Sequence, residues 1–222
     1  MTAPDTAPSP LATDQYVVDT PHMRRFIETI RRMQRSASAP IEIIERIRPH
    51  FVALLAEDGW LPRQFQEPAA GSGMGGGIGT WLLYRAGDGS LAFSSLVVPP
   101  GAETPVHDHL AWGLVGLYRG EQEEDVFVRR DSGDQTGYAD LKLKERRALR
   151  PGDCYTLLPE NDIHRVRTTS AVTSVSLHLL GIDNGCIWRH RFEPAAQRVW
   201  PFRSGYVNLP CPEGEEVAAA TP

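Results

Sequence analysis

The chain has 222 residues, of which 41% are hydrophobic and 23% charged, and its formal net charge is −5. This composition suits a globular domain with a sizeable core, and its acidic balance gives no electrostatic reason to bind nucleic acid or an anionic membrane. No stretch approaches the ~18 apolar residues of a membrane span, and the first residues lack the cationic and apolar regions of a secretory signal. We therefore expect a cytoplasmic protein without a nucleic-acid or membrane partner. The composition does not indicate an oligomeric state.

Two helices are predicted within residues 20–60. Thr20 is a suitable N-cap and Pro21 suits a first turn, and apolar residues then recur at helical spacing. The second helix is expected to begin near Pro40 and to kink or end at Pro49, with helical residues continuing beyond it. We expect both helices to pack against the body of the domain. The expected apolar stripe of the second helix is Ile41, Ile44 and Ile47.

After the helices, a glycine-rich loop at 71–77 is predicted to be a linker or an active-site flap. Many short β runs with turn signals follow, which favours a mainly β barrel or sandwich. We predict one domain over 20–208, with its β-barrel at 80–195 and disordered or flexible tails at 1–19 and 209–222. The predicted strands are 81–85, 91–98, 112–118, 125–129, 139–149, 155–158, 164–168, 172–180 and 187–192.

The three cysteines are Cys154, Cys186 and Cys211. They are odd in number, far apart along the chain, and form no CxxC pair. We expect reduced thiols and no disulfide framework, in keeping with a cytoplasmic protein.

Two histidines lie two residues apart in Pro105-Val106-His107-Asp108-His109. In an extended strand, residues i and i+2 point to the same face, about 6.6 Å apart along the chain. Two imidazoles so placed can converge on one metal ion. Asp108 would point away and could orient a ligand from behind.

The surroundings of this pair form a longer pattern, Gly101-x5-His107-x-His109-x3-Gly113-x6-Gly120, followed by a second block with Gly152, Pro159 and His164. This pattern resembles that of the cupin superfamily. The resemblance implies a double-stranded β-helix, or jelly-roll, barrel behind the two N-terminal helices. It also implies that His164 completes a metal site with His107 and His109.

Within the cupins, the chain resembles the bacterial thiol dioxygenases, which include cysteine dioxygenase and 3-mercaptopropionate dioxygenase. Gly113 stands where many cupins carry a glutamate ligand, and Ser176-Leu177-His178 matches part of a Ser-x-His-x-Tyr relay. The resemblance covers about residues 94–191 and a similar helical N-terminal region. It implies Fe(II) as cofactor and the addition of O2 to the sulfur of a small thiol, giving a sulfinate.

Further residue roles follow from this resemblance. Ser176 and His178 would form the catalytic relay, but Leu180 stands where the family has its tyrosine. Arg189 falls where the mercaptopropionate-type enzymes bind a carboxylate, and a surface charge is the alternative interpretation. His178 could equally be a core histidine bonded to Ser176.

Three neutral imidazoles would leave the full charge of a divalent ion to attract a thiolate, the metal-binding form of a thiol. Gly113 is expected to leave open space beside the metal. Two other functions stay open: a three-histidine cupin oxygenase or lyase acting on a diketone or enediol, and a non-catalytic metal- or ligand-binding cupin. A zinc-hydroxide hydrolase is also physically possible, but hydrolytic helper residues are not evident.

Overall fold

The computed structural model describes residues 13–160 and 162–212, so most of both predicted tails lies outside the described residues. The two helices are α1 (Pro21–Arg35) and α2 (Pro40–Leu55). The strands are β1 (Gln15–Tyr16), β2 (Gly79–Arg85), β3 (Ala92–Val98), β4 (Val106–His107), β5 (Gly113–Arg119), β6 (Gln122–Arg129), β7 (Leu141–Leu149), β8 (Cys154–Leu157), β9 (His164–Thr168), β10 (Ser174–Leu180), β11 (Arg189–Glu193) and β12 (Arg198–Phe202).

The strands form two six-stranded antiparallel sheets. The first has the order β1-β2-β3-β10-β5-β8, and the second has the order β12-β11-β4-β9-β6-β7. Strands distant in sequence are therefore neighbours in both sheets, with β3 beside β10 and β4 beside β11, as in a jelly roll. The predicted mainly β cupin barrel with two N-terminal helices is confirmed.

The start of α1 agrees with the sequence prediction, because the Thr20 hydroxyl accepts a hydrogen bond from the backbone N–H of Met23 at 3.1 Å. Helix α2 continues through Pro49 to Leu55. Its predicted stripe was partly wrong, since Ile41 is 47% exposed. The buried face of α2 consists of Ile43, Ile44, Ile47, Phe51, Leu54 and Leu55.

The first sheet is buried on both faces, because the helices cover one face and the second sheet covers the other. Strand β10 shows the alternation: Leu177 and Leu179 belong to the apolar cluster under the helices, whereas His178 and Leu180 line an internal cavity. Gly116 allows α2 to approach the sheet, since a Cβ there would lie 2.9 Å from the Phe51 ring. Each large apolar side chain buried in this way contributes about 1.5–3 kcal/mol.

Three predicted boundaries need correction. Residues 13–19 are not wholly a tail, because β1 pairs Gln15 with Arg85 at the edge of the first sheet. The barrel does not end at residue 195, because β12 pairs along all of β11. The described part of 209–222 is attached to the domain, since Cys211 is covalently bonded to it. Two-residue strands and edge strands carry too little periodicity to be recognised in sequence.

The prediction of three reduced thiols was wrong, because Cys186 and Cys211 form a disulfide. The two residues are 25 positions apart, and the chain after β12 returns against the turn that holds Cys186. Cys154 is the remaining free cysteine of the described residues. The disulfide removes the cysteine argument for a cytoplasmic location.

None of the helices in the described residues has the length and apolar character needed to cross a membrane.

Candidate metal centre

Three histidine side chains meet between the two sheets. Strand β4 pairs with β9 so that His107 lies directly opposite His164, and His109 follows two residues after His107. The ring centroids are 4.9 Å apart for His107–His109 and for His107–His164, and 4.8 Å apart for His109–His164. One ligand atom from each ring lies within 4.8 Å of the others, and all three residues are buried. The structure thus brings together the three predicted ligands.

The inward nitrogens are the Nε2 atoms, because each Nδ1 has a partner on the outer side. His107 Nδ1 lies 2.8 Å from the Pro105 carbonyl, and His109 Nδ1 lies 3.4 Å from the Asp162 carbonyl. His164 Nε2 is buried without a hydrogen-bond partner in the described protein. An unpartnered buried imidazole nitrogen is costly unless a ligand occupies its lone pair, so the cluster fits a metal ion.

Electrostatics keep two of these rings neutral and able to bind a cation. Burial lowers the pKa of His107 well below its ordinary value, and the nearby charge of Arg189 lowers it further. Burial is also the main cause of the lowered pKa of His109, followed by the proximity of His164. Neutral imidazole is the form that binds metals.

Two residues that sequence reasoning missed hold the His109 backbone. Asp162 Oδ2 accepts hydrogen bonds from the N–H groups of His109 and Leu110, both at 2.7 Å, where Leu110 has a positive φ of 56°. Asn184 donates a hydrogen bond to the His109 carbonyl at 2.7 Å. Burial raises the pKa of Asp162 to about 6. The only sequence signal was that Asp162 lies two residues before a predicted ligand.

Two further carboxylates lie behind the ligands. Asp108 points away from the cluster, as predicted, and accepts hydrogen bonds from the N–H of His190 at 2.7 Å and from its ring Nδ1 at 2.6 Å. Glu124, which sequence reasoning also missed, lies 2.7 Å from His164 Nδ1 and is 1% exposed. Its sequence context, Gln122-Glu123-Glu124-Asp125, is typical of a solvated face and hid this role.

A small cavity adjoins the cluster. Its volume is about 20 Å³, so it is a small space beside the cluster. Two ligands, His107 and His109, lie in its wall, so one side of the cluster faces this space. The other described residues of the wall are Met74, Thr80, Ala92, Ser94, Leu96, His178, Leu180, Asn184, Gly185, Arg189, Ser204 and Tyr206.

Arg189 lies in this wall and is 1% exposed, which excludes the surface-charge interpretation. It donates hydrogen bonds to the Asp108 carbonyl at 2.7 Å and to the Ser204 hydroxyl at 3.0 Å, while its Nε has no partner in the described protein. The guanidinium carbon lies 4.6 Å from the Phe202 ring centroid. Burial lowers the pKa of Arg189 to about 10, which leaves it charged at neutral pH.

Ser176 and His178 are both buried, with Ser176 Oγ 3.1 Å from His178 Nε2. The His178 ring lies over His109, with centroids 6.4 Å apart, and burial lowers the pKa of His178 to about 3. The expected open space at Gly113 was wrong, since Leu180 fills it: a Cβ on Gly113 would lie 2.3 Å from Leu180 Cδ2.

The glycine-rich loop covers one side of the cavity. The Gly73 N–H donates a hydrogen bond to the Ser204 carbonyl at 2.7 Å. The next residue, Met74, is 8% exposed and lies in the cavity wall. Of the two predicted roles for this loop, its position favours the active-site flap.

Comparison with known proteins agrees with this architecture. Residues 77–182, just under half of the chain, match the family model described as cysteine dioxygenase type I. This segment is similar to the thiol dioxygenases of the cupin superfamily. All three histidines of the cluster lie within this matched segment.

Several solved structures are also similar in part. A Cupin 2 conserved barrel domain protein from Salinispora arenicola is 17% identical, with a TM-score of 0.37 over 51% of this chain and 83% of that one. The TT1209 protein from Thermus thermophilus is 19% identical, with a TM-score of 0.36 over 47% and 83% of the two chains. An oxalate oxidase is 19% identical with a TM-score of 0.34, and the match spans 43% of each chain.

Proposed function

We propose that this protein is an Fe(II)-dependent dioxygenase that converts a small thiol bearing a carboxylate into its sulfinate, RSH + O2 → RSO2H. The observation that carries this proposal is the position of Arg189. A buried guanidinium shares one small cavity with two of three converging histidines. Groups suited to bind a metal ion and a carboxylate would therefore face the same ligand.

The three histidines would hold the iron. Iron bound there would supply the site at which a thiolate and O2 come together. The protein's own contribution is to keep the metal side of the cavity small and enclosed, and to provide imidazole rather than carboxylate ligands. A thiolate is then the anion that balances the charge of the centre.

Two unpartnered polar atoms support a carboxylate at the other end of the substrate. Arg189 Nε and Thr80 Oγ1 are both buried without hydrogen-bond partners in the described protein, and both residues lie in the cavity wall. Buried polar groups are normally satisfied, so two such donors in one wall indicate an acceptor that binds there. A carboxylate would accept from Arg189 with charge assistance and from the Thr80 hydroxyl.

The charge of the wall favours 3-mercaptopropionate over cysteine. The described residues of the wall include Arg189 but no aspartate or glutamate. A substrate ammonium group would therefore be buried near a positive guanidinium and a metal cation without an anionic partner, which is costly. A thiol acid without an amino group avoids this penalty.

His178 would face the bound substrate, because it lies in the cavity wall beside His109. Burial keeps it neutral by lowering its pKa, and Ser176 fixes its ring by the contact at Nε2. Ser176 and His178 together would orient a hydrogen bond or hold a proton next to the reacting groups. Leu180 provides no phenol to extend this pair, so the relay ends at His178.

Oxygen uptake by the Fe(II)-loaded protein tests the proposal, with 3-mercaptopropionate, cysteine, cysteamine and a 1,3-diketone as separate substrates. We expect thiol-dependent uptake of one O2 per sulfinate, fastest with 3-mercaptopropionate, and mass spectrometry after reaction in ¹⁸O2 should show both labelled atoms in the product. Uptake with the diketone alone would identify the alternative oxygenase, and no uptake with any of them would favour a non-catalytic cupin.

A further inference from the structure

The three metal ligands differ in what lies behind them. His107 and His109 each have a neutral backbone carbonyl at Nδ1, at 2.8 and 3.4 Å. His164 instead has a carboxylate oxygen of Glu124 at 2.7 Å. A carboxylate polarises an imidazole more strongly than a carbonyl does, and it fixes the tautomer with hydrogen on Nδ1.

The Glu124 carboxylate is enclosed by protein groups. Its side chain is 1% exposed, and its second oxygen accepts a hydrogen bond from Arg147 at 3.3 Å. The Tyr155 hydroxyl lies 3.5 Å from His164 Nδ1, and burial and the nearby Glu124 raise the pKa of Tyr155, so the phenol stays protonated. Low exposure strengthens each of these interactions, since solvent does not screen them.

We propose that Glu124 is a positioning residue for the metal, which makes His164 the strongest donor of the three ligands and lowers the net charge of the centre. The three histidines are therefore not equivalent ligands, because only His164 has a carboxylate behind it. The carboxylate offsets part of the ion's charge from the side opposite the cavity. Through Nδ1 it also fixes the plane of the His164 ring, whose Nε2 has no partner in the described protein.

The ion pair with Arg147 does not by itself account for a buried carboxylate at position 124. The Arg147 side chain is 33% exposed and also pairs with Glu145 at 2.8 Å, so it has a solvent-facing partner of its own. The contact from Glu124 to His164, at 2.7 Å, is shorter than its contact to Arg147. Both oxygens are thus engaged, with the closer one on the metal ligand.

The test compares Glu124→Gln with Glu123→Gln as a matched control. Glu123 precedes Glu124 on β6 but pairs with Arg146 at 3.2 Å on the other side of the strand, outside the site. The dissociation constant for Co(II) is measured by competition with a chromophoric chelator, and the Co(II) absorption spectrum is recorded in parallel. We expect Glu124→Gln to weaken Co(II) binding by about 10- to 100-fold and to shift the d–d bands, with Glu123→Gln within about twofold of the parent.

Unchanged affinity and an unchanged Co(II) spectrum in a folded Glu124→Gln protein would overturn the proposal, even if the apoprotein were less stable. If that variant does not fold, Glu124→Asp takes its place, because it keeps the charge but shortens the reach, and the same direction is expected. The inference rests on the proposed metal site but not on the thiol substrate. Weakened Co(II) binding without any thiol oxidation would thus support it while contradicting the proposed function.

Discussion

Gly113 and Leu180 lie opposite each other on β5 and β10, and a Cβ on Gly113 would come within 2.3 Å of Leu180 Cδ2. Gly113 replaces a glutamate found in many cupins, and Leu180 replaces the tyrosine of the relay in similar enzymes. The two replacements therefore go together, because the leucine side chain occupies the space that the glycine leaves.

This contact predicts that Gly113→Ala is destabilising. The new methyl group would also lie 2.8 Å from the Leu179 carbonyl, so the strand itself would have to shift. We expect a loss of about 1–3 kcal/mol in the free energy of unfolding, measured by chemical denaturation of the apoprotein. Leu180→Ala in the same background should recover only part of this loss, because the backbone contact remains. Full stability of Gly113→Ala would contradict the packing described here.

Replacing Arg189 should affect acidic substrates selectively. Arg189→Gln removes a buried charge-assisted hydrogen bond, and we expect kcat/KM for 3-mercaptopropionate to fall by about 10- to 100-fold. For 2-mercaptoethanol, which has no carboxylate, the change should be much smaller. Arg191→Gln is the matched control, since Arg191 lies on the same strand and is exposed. Equal losses with both thiols would show that Arg189 acts on the fold rather than on the carboxylate.

Asp162 is expected to hold the metal-binding turn in place. Asp162→Ala would leave the N–H groups of His109 and Leu110 without their acceptor, at about 1–3 kcal/mol for each buried group. We therefore expect a lower unfolding free energy and weaker Co(II) binding. Asp162→Asn retains an acceptor oxygen and should lose less of both. If Asp162→Ala bound Co(II) as tightly as the parent, the turn would not depend on this clamp.

The Cys186–Cys211 disulfide should stabilise the fold. It closes a loop across 25 positions, and cross-links of this size contribute about 2–4 kcal/mol by restricting the unfolded chain. Denaturant titration of Cys186→Ser, or of the parent with reductant, should show this loss. Cys154→Ser, which leaves the disulfide intact, should not. A parent protein indifferent to reductant would mean that the bond is not formed in solution.

Much of the barrel could be predicted from sequence, because its longer strands alternate or run continuously apolar between turn residues. The strands that were missed are those too short to show such a pattern. Strand β4 has two residues and β1 has two, too few for any period to be visible. The disulfide depends on where the chain after β12 returns, which the number and spacing of cysteines do not reveal.

The metal ligands were predictable because His107 and His109 are adjacent and lie in a recognisable pattern with His164. The residues that hold these ligands in place, such as Glu124 and Asn184, could not be predicted. Glu124 lies on a different strand from His164, 40 positions away in sequence, and its role depends on strand pairing and on which face of β6 points inward. Asn184 reaches His109 from a loop, where no periodicity indicates direction.

We propose that one side of the three-histidine centre is open to the thiolate of a substrate whose carboxylate binds Arg189. Anaerobic titration of the Co(II)-substituted protein with 3-mercaptopropionate tests it most directly, with 3-hydroxypropionate as the control ligand. We predict a new near-ultraviolet sulfur-to-cobalt absorption band that saturates at one thiol per metal and is absent with the alcohol. A Co(II) spectrum that does not change when the thiol is added would contradict the claim.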